Sequence, residues 1–226
     1  MGGQACVLYG GAEFSRDTDL AVLADDDNLR RLQTALDELQ AIPIAVPPFE
    51  RRYLDAGHAV HFRCQVPAAR GLRIDIMSRM RGLPDFDTLW NRRTTIEVAD
   101  GPIEVLSLPD LVTAKKTQRD KDWPMISRLL EAHYVQRATN PNDTEIDFWL
   151  RELRSPLLLI DVARTWPDRC MTLTAFRPLL AHALAGDEPQ LAATLREEEE
   201  RERDADRAYW LPLKSELENL RRTRRC

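Results

Sequence analysis

Three aspartates have the residue type and spacing to hold divalent metal ions. Asp17 and Asp19 are two residues apart at the start of an apolar segment, and Asp75 lies between Ile74 and Ile76. Alternate side chains of a β-strand share a face, so the first two carboxylates point the same way and both isoleucines point away from Asp75. If the two strands are neighbours, the three carboxylates converge. Such a set can bind the metal ions that flank a phosphoryl transfer.

A structural role competes with this interpretation, because an Asp-x-Asp sequence at the start of a strand is also common turn and capping chemistry. A glycine pair, Gly2-Gly3, favours the functional role. Residues without a Cβ let the backbone N–H groups at a helix start approach phosphate closely. A second pair, Gly10-Gly11, leaves only five residues before Asp17, too few for a helix, and is predicted to be a turn.

The arrangement of these residues resembles the signature of the DNA polymerase β-like nucleotidyltransferases. Gly2-Gly3 is followed by thirteen residues, then by Asp17-Thr18-Asp19-Leu20, and later by the isolated Asp75. Within that superfamily, the segment from Gly2 to Leu20 is most similar to the group that contains the AbiEii toxins. The block from Leu106 to Asp122 is similar to a later motif of the same group, a helix that bears a Lys, then an Arg and an Asp. The resemblance covers about residues 2–135.

The resemblance implies an α/β (α+β) nucleotidyltransferase lobe with a mixed sheet at residues 1–135. The helical patterns that follow predict a C-terminal all-α helical lobe at 143–226. The resemblance also implies transfer of an NMP from an NTP to a hydroxyl group, with Mg²⁺ or Mn²⁺ held by the catalytic residues Asp17, Asp19 and Asp75. The residues expected to bind the nucleotide are Gly2, Gly3, Ser15, Lys115 and Arg119. The acceptor would be an RNA 3′ end, as in tRNA-targeting toxins, or a protein, and a cognate antitoxin or toxin would be a partner.

Alternatives remain open at this point. The same fold could serve a small-molecule, aminoglycoside-like nucleotidyltransferase. In the family the glycine pair ends a strand, and no strand precedes Met1 here, so an inactive truncated relic that acts as a binding module is a further possibility. Lys115 and Arg119 could also lie on a solvated helix face, with Asp120 and Asp122 as partners.

Composition narrows the function class. The chain has 32 Lys and Arg against 37 Asp and Glu, a formal net charge of −5, which argues against non-specific coating of nucleic acid. Its four cysteines follow no disulfide or metal-ligand spacing, so a cytoplasmic location is expected. No apolar run approaches the length of a membrane span, and no membrane partner is expected. His58, His61 and Cys64 do not all share one strand face, which disfavours zinc.

The elements that must position the aspartates follow from hydrophobic periodicity. A short helix is predicted at Gln4–Tyr9, a strand at 17–23, and an amphipathic helix after Asp26 or Asp27. Two hairpins are predicted, from 60–66 with 72–77 and from 94–98 with 103–106. After Ser107, which can cap a helix, only helices are predicted, at 109–119, 123–134, 145–154, 157–165, 173–185 and 189–210. The polar segment 134–144 is predicted to separate the lobes.

Overall fold

The protein contains a four-stranded mixed sheet. The structure, a computed structural model, describes residues 1–225. Its strands are β1 (Asp17–Ala21), β2 (Ile42–Pro43), β3 (Val60–Arg63) and β4 (Arg73–Met77), in the order β1-β4-β3-β2. β1 and β4 are parallel, and the other pairs are antiparallel. The predicted mixed sheet and the hairpin of β3 with β4 are confirmed, and β1 is an edge strand whose neighbour carries Asp75.

One face of this sheet is apolar and forms a core. Two helices, α2 (Asp26–Glu38) and α3 (Arg51–Ala56), contribute to it. The core includes the buried side chains of Leu36, Leu54, Val60, Phe62, Ile74 and Ile76. The N-cap of α2 is Asp25, which accepts a hydrogen bond from the Asn28 N–H at 2.7 Å, and not the predicted Asp26 or Asp27. Because side chains alternate along a strand, Asp75 lies on the other face.

The remaining elements around the sheet include a second hairpin, as predicted. Its strands are β5 (Thr94–Val98) and β6 (Gly101–Val105), and the helices are α1 (Gly2–Leu8), α4 (Phe86–Asn91) and α5 (Leu108–Lys115). The Ser107 hydroxyl accepts the Asp110 N–H at 3.4 Å, which is the capping contact expected at the start of α5. α1 packs against β1 and α5.

The C-terminal region is helical, as predicted. Its helices are α6 (Asp122–Arg137), α7 (Asp143–Glu152), α8 (Pro156–Thr165), α9 (Pro167–Thr174), α10 (Leu180–Ala185) and α11 (Glu188–Arg225). Within the described part of the chain, no helix combines the length and the apolarity needed to cross a membrane.

The chain forms two compact units whose boundaries differ from the predicted 1–135 and 143–226. The first contains Met1–Leu8, Ala12–Lys115 and the chain from Asp206 onward, and the second contains Tyr9–Gly11 and Lys116–Ala205. The polar segment near 140 is not a linker between units. Asn142 and Glu145 form a capping box at the start of α7, so these polar residues begin a helix inside the second unit.

Three of the differences between the predicted and the observed helices have identifiable reasons. α5 ends at Lys115 rather than 119, because the Thr117 hydroxyl accepts the Arg119 N–H at 3.1 Å and stabilises a turn. The predicted helix 173–185 is divided into α9 and α10, since Pro178 disfavours helical backbone at the residue before it. α11 continues past Pro212 to Arg225 instead of ending at 210, and the buried Leu213 anchors this part.

A buried ion cluster stabilises the second unit. Arg177 is buried and donates to the carbonyl oxygens of Leu150 and Leu153 and, at 2.8 Å, to the Glu198 carboxylate. Arg154 also contacts Glu198, at 3.3 Å. Burial opposes ionisation of Glu198, but the charges of Arg177 and Arg154 outweigh it and hold the pKa of this carboxyl below its usual value.

Glu198→Gln is therefore expected to lower the free energy of unfolding by about 3 kcal/mol at pH 7, because it removes the carboxylate that pairs with the buried guanidinium group of Arg177. A carboxyl with a lowered folded-state pKa stabilises the fold above its unfolded pKa and loses that contribution as the pH falls through the folded value. The gap between wild type and variant should thus be full at pH 7 and shrink below about pH 4. Denaturant titrations across this range measure it.

The matched control is Glu200→Gln, a substitution of an exposed glutamate on the same helix. It should change stability by less than about 0.5 kcal/mol at any of these pH values. Equal effects of the two substitutions would contradict the role given to Glu198.

Candidate active site

Asp19 and Asp75 lie opposite each other on adjacent strands. The register of the parallel pair aligns Asp19 with Asp75 and Asp17 with Arg73. Residues in register on neighbouring strands present their side chains on the same face, so Asp17, Asp19 and Asp75 share the face opposite the apolar core. This is the arrangement that the metal-site hypothesis requires.

Two side chains that were not predicted from the sequence, His61 and Arg73, contact the Asp75 carboxylate. Its Oδ1 is 2.8 Å from Nδ1 of His61 and accepts a hydrogen bond from Nε of Arg73 at 2.7 Å. Burial alone would raise the pKa of Asp75, but the hydrogen bonds and charges of His61 and Arg73 outweigh burial and lower it. Asp75 is therefore a carboxylate at neutral pH.

Arg73 lies among the three aspartates. Its hydrogen bond to Asp75 raises the pKa of the guanidinium despite burial, and the charges of Asp17 and Asp19 act in the same direction. The available sequence signal was alternation, because Arg73 and Asp75 are two residues apart on one strand. His61 could have been found only from the register, in which it pairs with Asp75.

The carboxylates share a face but do not form a closed metal site. Within residues 1–225, no group of three or more His, Cys, Asp and Glu side chains is placed to hold a metal ion. Asp75 is turned toward Arg73 and His61, and Asp19 accepts the Gly3 N–H. The donor set itself consists of carboxylate oxygens, the ligands preferred by Mg²⁺ and Mn²⁺. Its chemistry fits such an ion, provided that the carboxylates turn toward one another.

The glycine pair lies directly against the strand that carries Asp19. A Cβ on Gly2 would be 1.9 Å from Asp19 Oδ2, and a Cβ on Gly3 would be 2.3 Å from Ser15 Oγ. The Gly3 N–H donates to Asp19 Oδ2 at 3.2 Å. α1 begins at Gly2, two residues before the predicted start at Gln4, so both glycines belong to its first turn. The structure thus brings Gly2, Gly3, Ser15 and Asp19 together.

Ser15 connects this glycine turn to the aspartates. Its hydroxyl donates to the carbonyl oxygen of Asp17 at 3.0 Å. The Gln4 amide donates to the Ser15 carbonyl oxygen at 3.3 Å. The segment before β1 is therefore fixed to α1 by side-chain and backbone contacts on both sides of Ser15.

Lys115 and Arg119 do not share a helical face, contrary to the prediction. Lys115 is the last residue of α5 and is only 7% exposed. Its charge and that of Asp19 both act on the Met1 amino group, so Lys115 lies on the side of α5 near α1. Arg119 lies in the turn after α5, where its Nε donates to Asp122 at 2.7 Å. The expected pairing of Asp122 with a basic residue of this block is present.

The histidines and the cysteine considered for zinc have separate surroundings. His58 is buried, and its Nε2 is 2.8 Å from Glu216 Oε2. His61 contacts Asp75, and Cys64 is buried in the sheet core. The structure thus gives these three residues no common ligand role.

A scan against protein-family models finds no match to the chain, and searches of curated proteins and of solved structures find none. The sequence signature and the geometry of the sheet face are the observations that bear on function.

The contact of Gly2 with Asp19 predicts different effects for two glycine-to-alanine substitutions. Both glycines have positive φ, +68° at Gly2 and +78° at Gly10, so alanine adds backbone strain of about 1–2 kcal/mol at either site. A Cβ at Gly10 meets nothing within 4 Å, whereas a Cβ at Gly2 must displace Asp19. Gly2→Ala should therefore shift the amide NMR signal of Asp19, which is distant in sequence, and Gly10→Ala should leave it in place. An unchanged Asp19 signal in Gly2→Ala would show that the contact is absent in solution.

Proposed function

We propose that this chain is a metal-dependent nucleotidyltransferase that moves an NMP from an NTP to a hydroxyl acceptor and releases pyrophosphate. The observation that carries the proposal is the contact of the Gly2-Gly3 turn with Asp19, next to an in-register Asp75. The glycine pair, the Asp-x-Asp pair and the third aspartate are the parts of the family signature that this chain contains. A turn-and-cap role for Asp17 and Asp19 would not require Asp75 on the same face.

Each residue of the site would have a separate role. Asp17, Asp19 and Asp75 would hold Mg²⁺ or Mn²⁺, which would supply positive charge to the triphosphate and the leaving pyrophosphate. Gly2, Gly3 and Ser15 would contact the triphosphate, by resemblance to the family. Asp75 would also orient the attacking hydroxyl.

The acceptor is proposed by resemblance alone. An RNA 3′ end, including that of a tRNA, or a protein hydroxyl would receive the NMP, in a toxin–antitoxin or phage-defence setting with a cognate partner. Incubation with labelled NTPs and separate RNA, protein and aminoglycoside acceptors identifies the acceptor class by the molecule that gains the label.

The metal ligands can be tested through nucleotide binding. Calorimetry should detect binding of Mg²⁺–ATP, or of another Mg²⁺–NTP, to the wild type. Asp19→Asn removes a charged ligand and should weaken that binding at least about tenfold, since contacts to charged groups contribute about 1.5–3 kcal/mol. The control, Asp27→Asn, changes an exposed aspartate and should leave affinity unchanged. A wild type that binds no NTP with Mg²⁺ or Mn²⁺ would overturn the proposal and favour the binding-module alternative.

The proposed phosphate contacts of Lys115 and Arg119 can be tested separately. If Lys115 contacts the triphosphate, Lys115→Met should weaken NTP binding by about 1–3 kcal/mol while filling the same buried volume. Arg119→Ala should also weaken NTP binding by about 1–3 kcal/mol if Arg119 contacts phosphate. If Arg119 only pairs with Asp122, Arg119→Ala should leave NTP affinity unchanged and lower the free energy of unfolding, because Asp122 is buried and loses this cationic partner. Calorimetric titrations of both variants, with their melting temperatures, decide each case.

A further inference from the structure

A pocket opens beside the edge strand β1, next to the candidate active site. Met1 and Leu20 lie on one side of it, and α4 and β6 form the rest of the wall. The Met1 amino group donates to the carbonyl oxygen of Asp19 at 2.9 Å, and Ala21, which also lines the pocket, is on the strand face of Asp19. The pocket therefore adjoins the glycine turn and the first aspartates. The wall includes Phe86, Trp90, Arg93 and Glu104.

Its wall carries a stack of planar groups. Phe86 and Trp90, one turn apart on α4, stack with ring centroids 5.8 Å apart and an interplanar angle of 18°. The Arg93 guanidinium lies 4.0 Å from the centroid of the Trp90 ring. Trp90 is nevertheless 45% exposed, which is a large area for a tryptophan. Stacked aromatic and guanidinium groups at an open surface are the features on which nucleic-acid bases stack.

The polar groups of the pocket lie together on one side. Arg93 Nε donates to Glu104 Oε2 at 2.8 Å, and the Thr95 hydroxyl donates to the same oxygen at 2.8 Å. A mainly apolar pocket with one donor and one acceptor is typical of small-molecule sites that fix the orientation of a ring. The edge of a nucleobase presents the same combination of donors and acceptors. An aliphatic ligand would form no hydrogen bond with either group.

We infer that this pocket binds the base of the NTP, which stacks on Phe86 and Trp90 while the triphosphate lies at the glycine turn and Asp19. The inference rests on the proposed function, and it adds the part of the substrate that no motif in the sequence specifies. The Arg93 guanidinium lies over the Trp90 ring. When the base binds, Arg93 either moves away from this ring or stays in place and stacks against the base.

The test compares Mg²⁺–ATP with Mg²⁺–tripolyphosphate, which lacks a base, by calorimetry. The wild type should bind ATP more tightly than tripolyphosphate. Trp90→Leu keeps an apolar side chain but removes the stacking ring, and it should weaken ATP binding about tenfold, within the range for loss of one base–aromatic stack. Its affinity for tripolyphosphate should stay unchanged. Trp90→Tyr keeps a ring and should bind ATP nearly as the wild type does.

The matched control is Phe176→Ala. Phe176 is also exposed and also has an arginine, Arg151, over its ring, but it lies in the helical unit. This variant should bind both ligands as the wild type does. Equal wild-type affinities for ATP and tripolyphosphate, or unchanged ATP binding in Trp90→Leu, would overturn the inference and leave the proposed function intact.

Failure of the proposed function would look different, since the wild type would then bind neither ligand. Equilibrium dialysis with adenosine alone tests the pocket in that case. Adenosine binding that Trp90→Leu abolishes supports a base site, and absence of adenosine binding overturns it.

Discussion

The parallel register of β1 and β4 places three carboxylates on one sheet face, and the rest of the site depends on this register. Such carboxylates need a cation among them, and in this structure Arg73 provides one. The cation and the third carboxylate, Asp75, come from the same strand, and the parallel register places them beside Asp17 and Asp19. A slip of one residue would turn the aspartates into the apolar core. The buried isoleucines on the other face of β4 therefore maintain the register that the charged face requires.

This arrangement explains how one face can be stable without a metal ion and still be suited to one. Arg73 and His61 hold Asp75 ionised, and the Gly3 N–H holds Asp19. A divalent ion with its triphosphate would take over the role of these contacts, so binding and rearrangement of the carboxylates would be coupled.

Much of the first unit could be predicted from the sequence because its signals are local. Alternation of Ile74, Asp75 and Ile76 predicted both a strand and the polar face of Asp75. The roles of Arg73 and His61 could not be predicted in the same way, because they depend on which strands pair and in which register. The end of α5 depended on a hydroxyl contact of Thr117, and the continuation of α11 through Pro212 on packing of residues distant in sequence. Neither the end of α5 nor the continuation of α11 can be predicted from local periodicity.

The central claim is that the face of Asp17, Asp19 and Asp75 binds a divalent metal ion together with a nucleotide. Paramagnetic Mn²⁺ tests it most directly, because the ion broadens NMR signals of nearby nuclei. With ATP present, substoichiometric Mn²⁺ should broaden the amide signals of Gly3, Asp19 and Asp75 first and spare those of Leu159 in the helical core. Broadening centred elsewhere, or none at these three residues, would contradict the account.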